Sequence, residues 1–98
     1  MIKIVGYKNS TGKFTDENSK KEISFDNVIF SFVTDENEDY DGLATELYGL
    51  QNIKIPRNRL QNVLGNTSPE LLKGKEVDIK WAPNKYGKLV IDKIIIVK

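Results

Sequence analysis

A tyrosine flanked by lysines is the group in this sequence best suited to bind a partner. Tyr86 follows Lys85 directly and precedes Lys88 by two residues, inside the stretch Ala82–Lys88. The proline, asparagine and glycine of that stretch predict a turn between two strands. An aromatic ring held among cations can stack on a nucleobase while the ammonium groups pair with phosphates. The alternative is that Tyr86 folds back onto its own hairpin.

The chain contains neither histidine nor cysteine. These absences exclude disulfides, thiolate or imidazole metal sites and the Ser-His nucleophile pair. An enzyme would need a pair of carboxylates, and no placement of Asp or Glu in the sequence favours one. We therefore expect a protein without catalytic activity, cofactor or bound metal.

An acidic run occupies residues 35–41. It partly matches a calcium-binding loop, whose positions 1, 3, 5 and 12 supply ligands. The residues at those positions are Asp35, Asn37, Asp39 and Glu46. Tyr40 stands where that loop needs glycine for its sharp turn, and no amphipathic helix flanks the run. We interpret it as a solvated acidic loop.

Charge is divided unevenly between the halves of the chain. The formal net charge is +1, but residues 1–49 carry −5 and residues 50–98 carry +6. This asymmetry indicates a polyanionic partner for the basic half. The alternative is that the folded domain interleaves the halves, so that the field cancels. The cations that could line a basic groove are Lys54, Arg57, Arg59, Lys80, Lys85, Lys88 and Lys93.

The hydrophobic pattern predicts a single domain, residues 1–98. Strands are expected at residues 2–7, 23–34, 50–55, 76–81 and 89–97. The polar stretch 8–22 is interpreted as a surface loop or a hairpin arm. Pro56 and Gly65 bound one short helix, and Ser68 caps a further helical turn. This order is typical of an all-β, five-stranded antiparallel OB-fold barrel. An SH3-like barrel or a plain α+β sheet is the alternative.

Two apolar patterns in the C-terminal hairpin lead to further predictions. Val77, Ile79 and Trp81 alternate with polar residues, so Trp81 is expected in the core rather than on a binding surface. The strand over residues 90–97 is apolar on both faces. Because a one-layer barrel buries only one face of a strand, we expect the other face to meet a second subunit in a homodimer.

No apolar run in the sequence is long enough for a membrane span. The first residues alternate between polar and apolar types, a pattern unlike that of a signal peptide. We therefore expect a cytoplasmic protein without a membrane partner.

Three stretches resemble the filamentous-phage single-stranded-DNA-binding protein, the gene V protein. The run Asn84–Ile94 is similar to that family's aromatic-glycine tip followed by an apolar run and Ile-Asp-basic-Leu. The run Lys21–Asn27 is similar to the family's Lys-Pro-Tyr-Ser-Leu-Asn, which leaves its DNA-binding arm. Met1–Lys3 also fits the family's start. Together the stretches cover roughly a quarter of the chain.

The resemblance implies an OB-fold homodimer that coats single-stranded DNA cooperatively during replication. Tyr86 would stack on a base, and Lys93 would contact a phosphate. The arm would contribute its cations and its apolar and aromatic positions, which are Lys20, Lys21, Ile23 and Phe25. RNA is a further partner open to such a protein.

The sequence departs from the family at several of these positions. Ile23 replaces the family's arm tyrosine, and Ile95 replaces a basic residue after the Ile-Asp pair. Three acidic residues dilute the charge of the arm, and the stretch 35–49 is longer than its counterpart. These departures leave room for a second function, a small protein–protein adaptor or inhibitor from a mobile element. It would use the acidic loop, residues 35–41, to mimic nucleic acid or to dock a basic partner.

Overall fold

The computed structural model describes residues 1–97, which form a curled antiparallel sheet with two short helices. The strands are β1 (Ile2–Thr15), β2 (Glu22–Thr34), β3 (Ile53–Pro56), β4 (Glu76–Pro83) and β5 (Leu89–Ile96). The helices are α1 (Arg57–Leu64) and α2 (Pro69–Leu72). The strand order is β3-β2-β1-β4-β5, and every pairing is antiparallel. The prediction of an all-β, five-stranded antiparallel fold is confirmed, and α2 lies where a further helical turn was predicted after Ser68.

Hydrogen bonds do not close the sheet into a barrel within residues 1–97. Strands β3 and β5 are the two edges, and no pairing joins them. Both nevertheless contribute to one core, through Ile53 and Ile55 on β3 and Ile91 and Ile94 on β5. The sheet must therefore curl until its edges approach each other. Instead of a strand partner, the carbonyl of Ile91 accepts a 3.1 Å hydrogen bond from the guanidinium of Arg59.

Helix α1 begins and ends where local signals predicted. Pro56, with φ −59°, precedes its first turn. Gly65 ends it with φ 64°, a left-handed conformation that suits glycine, and its N–H bonds to the carbonyl of Gln61 at 2.7 Å. Val63 and Leu64 are buried, and the helix packs on β5, β2 and β3. The side chain of Ser68, by contrast, makes no capping hydrogen bond to α2.

The stretch 8–22 is a hairpin arm and not a surface loop. Strands β1 and β2 stay in register out to the pair Thr15 and Glu22, well beyond the predicted strand ends. The alternation of polar and apolar residues fades there because both faces of this two-stranded ribbon are open to solvent. The arm also elongates the molecule. Its radius of gyration is 15.0 Å, against about 13 Å expected for a compact domain of this length.

A β-bulge in the closing hairpin changes which residues of β5 face the core. Lys80 lies opposite Lys93 and Trp81 opposite Ile91, so Asp92 is the extra residue. Ile91 and Ile94 are consequently both buried although they are three residues apart. The residues of β5 therefore do not alternate strictly between its two faces, although the sequence suggested that they would. No helix within residues 1–97 has the length and apolarity needed to cross a membrane.

Candidate nucleic-acid interface

Asn84 organises the tip of the β4–β5 hairpin. Its side-chain oxygen accepts hydrogen bonds from the backbone N–H groups of Tyr86 at 2.9 Å and Lys88 at 3.0 Å. Backbone bonds from Asn84 to Lys88 and from Gly87 to Asn84 complete the turn. The ring of Tyr86 is 80% exposed, so it does not fold back onto its hairpin. The ammonium of Lys85 lies 5.0 Å from the ring centroid, a cation–π contact.

Lys80 and Lys93 face each other across β4 and β5 but are both engaged within the molecule. Lys80 forms a 2.9 Å ion pair with Asp78 on its own strand. The ammonium of Lys93 donates to the backbone carbonyl of Asn62, in the last turn of α1. A cation there satisfies an orphan carbonyl and complements the helix dipole. Lys93 therefore has a structural role beside the phosphate contact that the resemblance implies.

The tip of the arm is an ordered turn held by Asp16. Its carboxylate accepts hydrogen bonds from the hydroxyl of Ser19 at 2.8 Å and the N–H of Asn18 at 3.2 Å, and these lower the pKa of Asp16. Lys20 has φ 56°, which turns the chain back toward β2. Lys20 and Lys21 are exposed at this tip, away from the closing hairpin.

One face of the arm is apolar. Phe14 lies opposite Ile23, and Gly12 lies opposite Phe25, on the same side of the ribbon. The two phenyl rings are 6.4 Å apart between centroids. A Cβ on Gly12 would lie 2.6 Å from Cζ of Phe25, so the ring of Phe25 covers the glycine. All three apolar side chains remain exposed at this face.

Three clefts adjoin one another between the arm and the hairpin tip. The arm cleft, about 510 Å³, lies between residues 24–27 and 56–58. The seam cleft, about 460 Å³, lies between the β3 and β5 edges and shares Pro56 with the first. The tip cleft, about 470 Å³, includes Tyr86 and shares Arg59 and Val90 with the second. We call these three adjoining clefts the track.

The track joins cations and aromatic rings from separate parts of the chain. Its cations are Lys54, Arg57, Arg59 and Lys85, its rings are those of Phe25, Trp81 and Tyr86, and its acids are Asp26 and Asp92. Arg57 is held by Asp26 at 3.4 Å and by the Asn9 side chain at 2.6 Å. Of the predicted site residues, the track brings together Phe25, Lys54, Lys85 and Tyr86. Those that lie off it are Lys20, Lys21, Lys80, Lys88 and Lys93.

Trp81 is not a core residue, contrary to the sequence prediction. It lies on the same side of β4 as the buried Val77, but it is 38% exposed. The reason is its place near the end of β4, beside the seam where β3 and β5 are not paired with each other. There it lines the seam cleft and contacts the ring of Tyr48 edge-on, with 6.5 Å between ring centroids.

Tyr48 is a surface aromatic that the sequence analysis did not single out. The sequence signal for this position is the Tyr-Gly pair between two leucines. Glycine marks a turn, which the leucines could flank, and a turn would place the tyrosine at the surface. The ring of Tyr48 lies beside Trp81, and together with Leu89 they line an apolar cleft of about 340 Å³.

An acidic cleft of about 390 Å³ is also lined by Tyr48 and Trp81. Its charged residues include Glu36, Glu76 and Asp78. Within the acidic run, the amino group of Met1 pairs with Asp35 at 2.6 Å and with Glu36 at 3.0 Å. The described residues hold no group of three or more metal-ligating side chains. Trp81 thus lines both the basic seam cleft and the acidic cleft.

Comparison with protein-family models, with curated proteins and with solved structures finds no match to this chain. The resemblance to the gene V protein is accordingly carried by the three stretches described above.

Proposed function

We propose that this chain binds single-stranded nucleic acid with little sequence preference and coats single-stranded DNA during replication of a phage or another mobile element. The track carries this proposal, because it aligns four cations with three aromatic rings. Cations that follow a phosphate backbone, together with rings that stack on bases, are how proteins hold single strands. The proposed place of action is the cytoplasm of the host cell.

The strand order supports an OB-fold as part of this proposal. An OB-fold is a partly open five-stranded barrel that binds oligonucleotides on its second and third strands and on the loops after its first and fourth strands. In this chain β3 and β5 are the unpaired edges. The track runs past β2 and β3 to the loop after β4, and the β1–β2 arm projects beside it. The gene V resemblance implies the same fold.

A homodimer is the proposed assembly. Ile95 in the edge strand β5 is 48% exposed, and Val97, just after that strand, is 46% exposed. Apolar side chains along an unpaired strand edge favour contact with a second copy. The proposal involves no catalytic step.

Fluorescence anisotropy with labelled oligo-dT and a duplex of equal length tests the function. We expect tighter binding to the single strand, and a log Kd that depends linearly on log salt. Each neutralised phosphate should contribute about 0.7 to the slope. Equal or tighter binding to the duplex would contradict the proposal, and so would no binding of oligo-dT at low salt.

A charge-matched pair of double variants locates the binding site. Lys54→Ala with Lys85→Ala removes two track cations that form no ion pair within residues 1–97. Lys73→Ala with Lys75→Ala removes the same charge away from the track. We expect the first pair to reduce the salt slope by about 1.4, twice the single-phosphate value, and the second to leave it unchanged. Equal effects would show that binding is not localised to the track.

The acidic cleft favours a second candidate, the protein–protein adaptor or inhibitor. Glu36, Glu76 and Asp78 surround it, next to the acidic loop of residues 35–41. This function predicts retention on a cationic protein partner and none on single-stranded DNA-cellulose. Elution of the chain from DNA-cellulose by salt alone would favour the nucleic-acid proposal.

A further inference from the structure

Tyr48 occupies a turn position that strongly disfavours a bulky side chain. Leu47 and Leu50 exchange two backbone hydrogen bonds, of 3.0 and 2.9 Å, around a two-residue loop. Both loop residues have positive φ, 53° at Tyr48 and 77° at Gly49. Positive φ at both central residues defines a type I′ turn, which normally takes Asn-Gly, Asp-Gly or Gly-Gly. Left-handed backbone is strained for a residue with a large side chain.

Burial of the ring does not offset this strain. The side chain of Tyr48 is 79% exposed, and its aromatic contact is the edge-on one with Trp81. A strained residue that is also exposed is typical of a functional position, where the backbone conformation serves to aim a side chain. Here the turn directs an aromatic ring to Trp81, which lines the seam cleft of the track.

The surroundings of the pair indicate what the ring receives. Tyr48, Trp81 and Leu89 line an apolar cleft of about 340 Å³. Trp81 also lines the seam cleft, which contains Lys54 and Arg59 and no acidic residue. A flat apolar ligand in this apolar cleft would therefore have cations nearby, in the seam cleft that Trp81 also lines. A base attached to a phosphate backbone matches both surroundings. The acidic cleft that Tyr48 and Trp81 also line would repel the phosphates, so the backbone would lie towards the seam cleft.

We infer that Tyr48 and Trp81 form a base-stacking site, separate from Tyr86, that takes a nucleobase of a single strand lying in the track. The inference rests on the proposed function and adds a position at which the strand is held. Because stacking is indifferent to base identity, the site strengthens binding without adding sequence preference.

Replacing Tyr48 by asparagine separates a binding role from a structural one. Asparagine adopts left-handed backbone more readily than tyrosine, so Tyr48→Asn should leave Tm unchanged or raise it by a few degrees. Affinity for oligo-dT should fall by about 5- to 150-fold, the equivalent of the 1–3 kcal/mol of one base–aromatic stack. Tyr48→Phe keeps the ring and should keep the affinity. Tyr40→Asn, at an exposed tyrosine of the acidic loop, is the matched control and should change neither quantity.

Trp81 provides an independent readout because it is the only tryptophan. Excitation selective for tryptophan should show quenching when oligo-dT is added to the unmodified chain. An abasic deoxyribose-phosphate strand of equal length, which supplies phosphates without bases, should bind more weakly and quench little. Equal quenching by the two strands would overturn the inference.

The outcomes separate this inference from the function on which it rests. If the unmodified chain does not bind oligo-dT, the proposed function fails. If the chain binds oligo-dT and Tyr48→Asn binds equally well, the inference alone is overturned. If Tyr48→Asn lowers Tm, affinities are compared at a temperature where circular dichroism shows both proteins folded. A deficit that persists there supports the stacking site, and its disappearance overturns it.

Discussion

At the scale of single residues, the candidate cations differ in what they do inside the folded molecule. Arg59 donates to the carbonyl of Ile91, and Lys93 donates to that of Asn62. Substituting either removes an internal hydrogen bond along with the charge. Lys85 and Lys88, in contrast, form no ion pair within residues 1–97. Their charge can be removed with little effect on folding.

Tyr86→Ala tests the exposed ring at the hairpin tip. Affinity for oligo-dT should fall by roughly 1–3 kcal/mol, the contribution of one base–aromatic stack. The salt slope should stay the same because no cation is removed. Tm should also stay the same, since the ring is 80% exposed and buries little on folding. Titration and thermal melting of one preparation measure both quantities. A lower Tm with normal affinity would remove Tyr86 from the site, and Tyr40→Ala serves as the control.

Lys93→Ala should affect both stability and binding. Loss of the contact with the C-terminal turn of α1 should lower the free energy of unfolding by about 0.3–1 kcal/mol, the usual range for a surface cation at a helix C-terminus. If Lys93 also contacts a phosphate, the salt slope should fall by about 0.7. Urea denaturation measures the first effect and salt titration the second. Lys88→Ala is the comparison, because Lys88 lacks the helix contact. An unchanged slope would leave Lys93 with the structural role alone.

At the scale of elements, the arm shows how a polar stretch can still form a strand. Its two strands pair along their whole length, and the ring of Phe25 covers Gly12 across the ribbon. An aromatic residue opposite a strand glycine compensates for the missing side chain. Beyond this apolar face, the arm depends on its backbone pairing and on the turn at residues 16–21. The hydrogen bonds of that turn therefore determine how firmly Lys20 and Lys21 are positioned.

The turn of the arm should loosen in acid. Hydrogen bonds from Ser19 and Asn18 lower the pKa of Asp16. Because the pKa of Asp16 is lower in the folded state, its carboxylate stabilises the turn fully at pH values above the unfolded pKa, about 4. This stabilisation is lost as the pH falls through the lower folded value. The protection of the Asn18 and Lys21 amides against hydrogen exchange, relative to the intrinsic rate at each pH, should then fall, while that of Tyr86 in the other hairpin should not. In Asp16→Asn this pH dependence should be absent; its persistence would assign the change to another group.

At the scale of the whole molecule, the two clefts that share Trp81 differ in charge. The seam cleft contains Lys54 and Arg59, whereas the acidic cleft contains Glu36, Glu76 and Asp78. This contrast differs from the asymmetry between the halves of the sequence, because Glu76 and Asp78 belong to the basic half. A polyanion should be steered to one side only, and the opposite side remains available for a cationic partner.

The exposed apolar residues of the closing strand predict a dimer. Light scattering at tens of micromolar should give about twice the 11.2 kDa mass of the chain. Ile95→Lys should lower the measured mass towards that of the monomer. Ile95 is 48% exposed, and the substitution would place a charge in the proposed contact with the second copy. Leu43→Lys, at an exposed leucine of the acidic region, should leave the mass unchanged. A monomeric mass for the unmodified chain at that concentration would contradict the proposed assembly.

Local signals in the sequence determined the element order and several boundaries. Pro56 and Gly65 bound α1 as predicted, and the turn at residues 83–88 exposes Tyr86. These features depend on backbone preferences of proline, glycine and asparagine, which act within a few residues. The pattern of alternating residues also indicated an antiparallel, mostly β fold, although it ended β1 too early.

Tertiary structure decided where those elements meet. Two contacts join segments that are distant in the sequence: the hydrogen bond from Arg59 to Ile91 and the contact of Lys93 with α1. The exposure of Trp81 likewise depends on how distant strands are arranged around it. The track depends most on these contacts, because it combines residues 24–27, 50–59 and 81–92. Curling of the sheet around its core brings these segments together. No local pattern encodes that curvature, since it arises from packing all five strands and both helices at once.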